Sequence, residues 1–431
     1  MPDPDIIRFI PLLLFPILFI MGLFRPVFMP ISFMVLWLSK LPHYYPELVS
    51  IHAEALVGGL GTIRVLLYKN TLMRLGIKYD LINKYFYFFL LSIALSFIFA
   101  WSYQHSWDYK LYDFIKVLLF YCMVLGSIRD KNEIKIFIWS LAFLYLYLAY
   151  EPLYQFVTGT GGVEEMFGTV YISEVGIFSG HVSLANNMNQ IIPIIFFLFL
   201  SARKKSIKII ALITLLVFIV VLIMSKSRGG VLGFMMFAGC LTYYSKNRIR
   251  NGVLIGIILM LFAISLVSFK ATASRIDEGS AQGRLSGLIH GIEMVLKGNL
   301  IGVGPGCYRL ARSKYFHHTL DSHNIYGQIL GDLGIPGAII WFFLIRQIFI
   351  NLIKSRRKLK LISMENSFLY HLSMGLQISL FIRLFVCLAS HALYIYYWYI
   401  VAALSIAILK NVEMLLEKHE TINKKDVTVV G

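Results

Sequence analysis

Residues 203–230 read RKKSIKIIALITLLVFIVVLIMSKSRGG. Three cations, Arg203-Lys204-Lys205, precede an apolar run over about 208–225, and the turn Ser225-Lys-Ser-Arg-Gly-Gly230 closes it. A helix needs about 20 apolar residues to cross a bilayer core, so this unit predicts a membrane span with a basic cluster at one end. Similar runs recur at about 6–24, 26–41, 84–101, 110–127, 134–157, 182–202, 229–245, 251–269, 323–350, 367–389 and 390–410. Lys246-Asn-Arg248-Ile-Arg250, Lys354-Ser-Arg356-Arg357-Lys358 and Lys424-Lys425 also sit at run ends. Placing every cluster inside predicts about 12 spans with both termini cytoplasmic.

Composition agrees. The chain has 431 residues, of which 58% are hydrophobic and 15% charged. Soluble domains carry about 45–50% apolar and about 25% charged residues. The prediction is therefore an all-α polytopic integral membrane protein, one domain over 1–431, with 411–431 as a cytoplasmic tail. The first apolar run is Pro-punctuated and passes straight into the next, which predicts insertion through the first spans and not a cleaved leader. The formal net charge of +17 follows from the flanking clusters, and no nucleic-acid partner is expected. Cys122, Cys240, Cys307 and Cys387 contain no CxxC pair, which predicts neither a disulfide framework nor a zinc site.

The stretch 43–83 has two readings. Glu47, Ser50, Glu54, Gly58, Gly61, Arg64 and Tyr68 recur at three- and four-residue steps among apolar residues. That stripe suits an interfacial amphipathic helix, the favoured reading, or a thirteenth span.

The one long polar loop, about 270–323, falls on the outer side in this topology, as does a shorter loop near 158–181. Outer loops are usually poor in cations. This one carries Lys270, Arg275, Arg284, Lys297, Arg309, Arg312 and Lys314 against Asp277, Glu278, Glu293 and Asp321, with four histidines besides. A basic loop there suits an anionic ligand at the membrane face.

Several residues could carry chemistry. Lys226 and Arg228 lie in an outward turn, where a guanidinium fork suits phosphate oxygens and a helix start adds positive potential. A tight turn with cations on lipid headgroups is the plainer alternative. From Arg284 to Lys297, Leu285, Leu288, Ile292 and Leu296 predict a helix lying on the membrane. Gly302-Val-Gly-Pro-Gly306 reads as a turn, since no strand precedes it. His317, His318 and His323 lack the spacing of a metal site. Asp321-Ser322 resembles an N-cap, placing His323 in the first turn of the next span, where an imidazole could accept a proton from a hydroxyl. Arg383, inside an apolar run, either faces a polar cavity or snorkels outward.

Two patterns then bring a resemblance: Arg228-Gly-Gly-Val-Leu232, and His323-Asn324 followed by Gly334 and Gly337, with Gly283-Arg284, Gly302-Val-Gly304 and Tyr308 between them. Over roughly 180–345 the chain resembles the O-antigen ligase and polymerase superfamily of bacterial membrane glycosyltransferases. The resemblance implies an all-helical, GT-C-like fold in the bacterial inner membrane, with the site and a long loop of short helices facing the periplasm. It implies transfer of a glycan from an undecaprenyl-diphosphate carrier to a hydroxyl on lipid A–core, on another carrier-linked glycan, or on a protein. Arg228 and Arg284 would bind the diphosphate, and His323 would be the base of a metal-free, cofactor-free inverting displacement. Lys226, Asn324 and Arg383 are secondary candidates. Gly176-Ile-Phe-Ser-Gly180-His181 lacks an arginine that many relatives carry there, so a third cation would come from Lys226 or Arg383. Ligation is favoured over polymerisation and protein glycosylation. A lipid-linked glycan flippase is the competing class, although no inverted halves are seen and flipping has no need of one histidine at a loop exit.

Overall fold

The computed structural model describes residues 4–159, 163–165, 168–170, 180–244, 256 and 278–429. The predicted span at 251–269 apart from Gly256, the loop residues 270–277 and residues 176–179 lie outside them. The described residues are almost wholly helical. The chain opens with α1 (Pro4–Phe24), α2 (Phe28–Leu38), α3 (Leu41–Tyr44), α4 (Pro46–Ser50), α5 (Ala53–Leu66), α6 (Thr71–Leu75) and α7 (Leu81–Ile98). α8 (Tyr103–Ser106) runs through a π-helical turn, Trp107–Leu111, into α9 (Tyr112–Ser127), and α10 (Lys131–Leu148) and α11 (Tyr150–Thr158) follow. A small antiparallel hairpin pairs Val163–Glu165 with Gly168–Val170. Then come α12 (His181–Ser201), α13 (Lys205–Met224), α14 (Arg228–Tyr244), α15 (Glu278–Leu296), α16 (Tyr308–Phe316), α17 (Ile325–Leu361), α18 (Phe368–Val386) and α19 (Tyr396–Val429).

Among the described residues seven stretches are long and apolar enough to cross a bilayer: Leu81–Ile98, Lys131–Thr158, His181–Ser201, Lys205–Met224, Ile325–Leu361, Phe368–Ala389 and Tyr396–Ile422. The predicted spans at 26–41, 110–127 and 229–245 are helices α2, α9 and α14, of 11, 16 and 17 residues; the first, 6–24, is α1, whose apolar stretch is Phe9–Phe24. The last span begins at Tyr396, not 390, and its helix continues through the residues expected to form a separate tail.

Helix α5 bears on the 43–83 ambiguity. At 14 residues it measures about 21 Å, against a hydrocarbon core of roughly 30 Å. Its small residues face inward, Gly58 against Phe33 and Leu119, Gly61 against Met123. Leu56, Leu60 and Ile63 are exposed. Small residues let helices approach closely in lipid, where apolar side chains gain nothing by hiding from water.

The same logic orders the bundle. Along α13, Ile209, Ile213, Leu216, Val220 and Ile223 are exposed while Ala211, Thr214, Phe218 and Val221 are buried. Helix α12 is the central element, with Leu184 through Ile195 buried, including Asn186, Asn187, Asn189 and Gln190. It packs against α18, where Gly375 meets the Pro193–Ile194 backbone, and against α14, where Gly233 meets Asn189.

The two ends of the bundle differ in charge. At one end Lys131, Lys135, Arg203 and Lys204 meet Ser367 and Phe368, Lys358 pairs with Glu413, and Asp80 accepts from Asn351 at 3.0 Å. At the other end the start of α17 meets the last turns of α18: Asn324 Nδ2 donates to Leu388 O at 2.9 Å and Tyr326 OH to Leu384 O at 3.1 Å. The clusters Arg203-Lys204-Lys205 and Lys354-Ser-Arg356-Arg357-Lys358 sit at the first end, and His323 sits at the second.

Candidate functional site

The start of α17 is set by one side chain. Asn324 Oδ1 accepts from the backbone N–H groups of Tyr326 at 2.9 Å and Gly327 at 3.1 Å, satisfying donors that a helix N-terminus leaves open. Asn324, and not the expected Asp321-Ser322, is therefore the N-cap. His323 stands one residue ahead of the helix, not in its first turn, with φ +44. A left-handed backbone costs a non-glycine residue about 1–2 kcal/mol; such strain concentrates at functional sites. His323 as a whole residue is exposed, while its ring is partly covered by a neighbour. Asn324→Ala is expected to cost about 1 kcal/mol of stability and to free the His323 turn, read as a lowered Tm and weakened activity in one variant.

His323 has a second imidazole beside it. The His391 ring lies 5.1 Å away, edge to face. His391 Nε2 is 3.8 Å from Asp321 Oδ2, and the same carboxylate oxygen accepts from Tyr109 OH at 2.9 Å. Desolvation holds the His323 imidazole below its ordinary range; Asp321 pulls it up, and Arg284, Arg312 and His318 push it down. Burial lowers His391 to about 4, against Asp321 and with Lys110, His323 and Arg383 adding positive potential. Tyr109 is pushed up to about 12 by burial and by Asp321. Both imidazoles are thus neutral near pH 7, the form that can take a proton.

The cation nearest this site in effect, Arg284, arrives through a close helix crossing. Helix α15 lies across the start of α17, and a Cβ on Gly287 would collide with the Ser322 carbonyl. Arg284 sits one turn before that contact. The expected apolar face of α15 points outward, with Leu285, Ile292 and Leu296 exposed, as a helix lying on a membrane surface requires.

Arg312 holds this crossing together. Its side chain is fully buried. Nε donates to His290 Nδ1 at 3.0 Å, Nη1 to Leu320 O at 3.1 Å and Asp321 O at 2.8 Å, and Nη2 to Ser286 Oγ at 2.7 Å. One guanidinium therefore fastens α15 to the turn that carries Asp321 and His323. The sequence counts Arg312 only as one more loop cation, and nothing local separates it from Arg309.

The glycine run 302–306 does redirect the chain, as expected, and it also docks. Val303 N donates to Gly331 O at 2.9 Å, Gly304 N to Asp332 O at 3.2 Å, and Ile335 N to Leu300 O at 3.0 Å. The dock opens because α17 breaks at Gly334, with φ +64 and ψ −162; a Cβ there would strike the Leu300 carbonyl. Buried Asp332 ties the joint, accepting from Tyr308 N at 2.9 Å and Tyr394 OH at 3.2 Å. The His-Asn…Gly pattern thus has a physical content: a presented imidazole, a helix cap, and a break that receives the long loop.

Arg228 opens α14 after a turn in which Lys226 has φ +49. Ser227 Oγ accepts from Gly230 N at 3.2 Å and caps the helix. Arg228 is exposed, at the same end of the bundle as His323, because Gly230 packs on Ala185 near the start of α12 and Gly233 on Val386 at the end of α18. Arg383 is only 5% exposed, so it does not snorkel. Its Nε and Nη1 have no hydrogen-bond partner among the described residues, and its guanidinium lies 6.0 Å from the Trp398 ring centroid. Below it Tyr145 OH is 2.6 Å from Tyr396 OH and 3.2 Å from Asn187 Oδ1. Among the described residues no three His, Cys, Asp or Glu side chains group as metal ligands.

No curated protein matches the chain. A family model described as O-Antigen ligase matches residues 213–342, from within α13 to beyond the break in α17. The matched stretch holds Arg228, Arg284, His323 and Asn324, while Arg383 and His391 lie beyond it. The chain is a multi-pass membrane protein whose residues 213–342 are similar to the O-antigen ligase family, which supports the resemblance to that superfamily.

Proposed function

We propose that the protein is an extracytoplasmic membrane glycosyltransferase that ligates an undecaprenyl-diphosphate-linked glycan to lipid A–core. The observation that carries this reading is His323, an imidazole placed just ahead of a capped helix, on the turn that Arg312 fastens to α15, the helix of Arg284. The acceptor O–H gives its proton to the imidazole as its oxygen bonds to the anomeric carbon. The bond from that carbon to the diphosphate oxygen breaks with inversion, and the diphosphate leaves with the electron pair. Negative charge grows on the leaving group, where preplaced guanidinium groups act most strongly; Arg284 and Arg228 supply them, with Lys226 or Arg383 as a further cation. Asp321 then stands as counter-charge to the protonated His323. The site lies at the end opposite Arg203-Lys204-Lys205 and Lys354-Ser-Arg356-Arg357-Lys358, which the positive-inside rule makes the periplasmic end of an inner-membrane protein.

The test is transfer by purified protein from a synthetic undecaprenyl-diphosphate oligosaccharide to lipid A–core, with EDTA present. Glycan-bearing lipid A–core supports ligation, and dependence on added metal ions overturns the mechanism. Longer carrier-linked chains would make the enzyme a polymerase. No transfer, with carrier still bound, would favour a protein acceptor or a flippase.

His391 enters as a positioning residue acting through His323. Replacing it by Ala takes away a ring packed 5.1 Å from the His323 imidazole and admits water, relieving the desolvation that holds that imidazole down. His391→Ala is expected to lower kcat less than tenfold at pH 8 and to move the acid limb of the rate profile upward. A purely packing role would lower stability and leave the limb in place.

A further inference from the structure

We propose that a cleft at the end of the bundle opposite His323 binds the phosphate of an anionic phospholipid headgroup. The cleft, about 360 Å³, lies between α10, the α12–α13 junction and the start of α18. Lys131, Lys135, Arg203 and Lys204 converge on it, with Ser201 and Ser367 among its polar lining, and no acidic side chain lines it. The acids nearest in sequence are otherwise placed. Asp130 Oδ1 caps α10 by accepting from Asn132 N and Glu133 N at 2.7 and 2.9 Å, and Glu133 accepts from Arg129 N at 2.6 Å. Glu365 is exposed and outside the lining. None of the four cations has an ion pair among the described residues; Lys135 Nζ instead lies 5.4 Å from the Phe368 ring centroid.

Three helices of 18, 20 and 19 residues also begin here, α10, α13 and α18, adding the partial positive charge of their N-termini. Side chains cap α10 and α18, whereas the N-cap of α13, Lys204, makes no side-chain cap bond. Four like charges around one cavity repel, and an anion among them removes that cost. The remaining wall identifies the anion's carrier. Trp139, Leu198, Ile207 and Met364 are apolar, and next to them Ile209 and Ile210 are exposed on α13. A headgroup in the cleft would leave its acyl chains along that face, whereas a soluble phosphate would use only the cations. Basic pockets between transmembrane helices take phospholipid headgroups in this manner.

This site is independent of the glycan-transfer reading, and its test needs no activity. Full-length protein in detergent is examined by native mass spectrometry against phosphatidylglycerol and phosphatidylcholine, and by thermal shift against phosphatidylglycerol and inorganic phosphate. Wild type is expected to retain phosphatidylglycerol in preference and to melt higher with it. Each cation removed is expected to weaken retention about fivefold, so the double variant Lys135→Gln/Lys204→Gln loses more than tenfold. Lys354→Gln/Lys360→Gln removes two cations at the same end but outside the cleft and is expected to change little. Lys135→Arg/Lys204→Arg keeps the charge and is expected to keep the lipid, which separates charge from misfolding. Equal loss in both glutamine variants, or no preference between the two lipids, overturns the site. Protection by inorganic phosphate equal to that by phosphatidylglycerol overturns the lipid as its source.

Discussion

His323→Ala is expected to reduce glycan transfer about 10²–10⁴-fold, the usual cost of losing a general base, with kcat falling and the apparent KM for donor nearly unchanged. The structure makes this a clean substitution. His323 is exposed and lies outside the helix that Asn324 caps, so truncation leaves the cap and the clasp of Arg312 in place. His323→Asn is the control, because asparagine tolerates the left-handed backbone at φ +44 yet supplies no base; it should be as inactive as alanine. Wild type should show an acid limb. The folded imidazole sits below its ordinary range, near 6.5 in model peptides, so transfer should be full at pH 7 and decline only as pH falls through that lower value. Linkage has the same sign for stability. The unfolded chain binds this proton more readily, so acidification from about 6.5 downward draws the protein toward unfolding. Transfer by His323→Ala within a few fold of wild type across this range would remove the histidine from the chemistry.

The parts of the molecule legible in the sequence are those fixed by local chemistry. The run 208–225 became α13 because nothing in it can leave the membrane, and the chain turns where Lys226 and Ser227 end it. That a helix starts just after Asp321 and Ser322 was visible for the same reason, since a cap and its helix are neighbours in sequence. Identifying the wrong cap followed from the rule itself: Asp, Ser and Asn are all good N-caps, and only the observed bonds separate Asn324 from Asp321 and Ser322. Helix count was less legible, because α2 and α9 are apolar but short, and composition does not measure helix length. What could not be read at all was tertiary. His391 reaches His323 from 68 positions away in the chain on an irregular segment between two helices. Arg312 and Asp332 are buried polar side chains whose partners lie on other elements, and a buried clasp and a solvated cation have the same one-residue signature. Arg383 was recognisable as costly, but its depth came from helix packing.

Arg284→Ala is expected to lower kcat about 10²–10³-fold, as when one preplaced donor to a developing negative charge is removed, and to move the acid limb upward. The two effects separate its roles. Arg284 is one of the cations that depress His323, so its loss lets the imidazole rise toward its ordinary range and protonate at higher pH. A limb shift alone cannot explain a rate loss at pH 8, where the imidazole is neutral in either protein; the loss that remains there measures leaving-group stabilisation. Arg284→Lys keeps the charge but not the planar fork that grips two phosphate oxygens. It should keep the wild-type limb and recover only part of kcat. Arg312 cannot substitute for this test, because its guanidinium is taken up by His290, Ser286 and the carbonyls of Leu320 and Asp321, and its removal would collapse the crossing that positions Arg284. An Arg284→Ala enzyme with an unmoved limb and full kcat at pH 8 would leave the diphosphate to Arg228, across the face where α12, α14 and α18 meet, and would move the reacting centre away from α15.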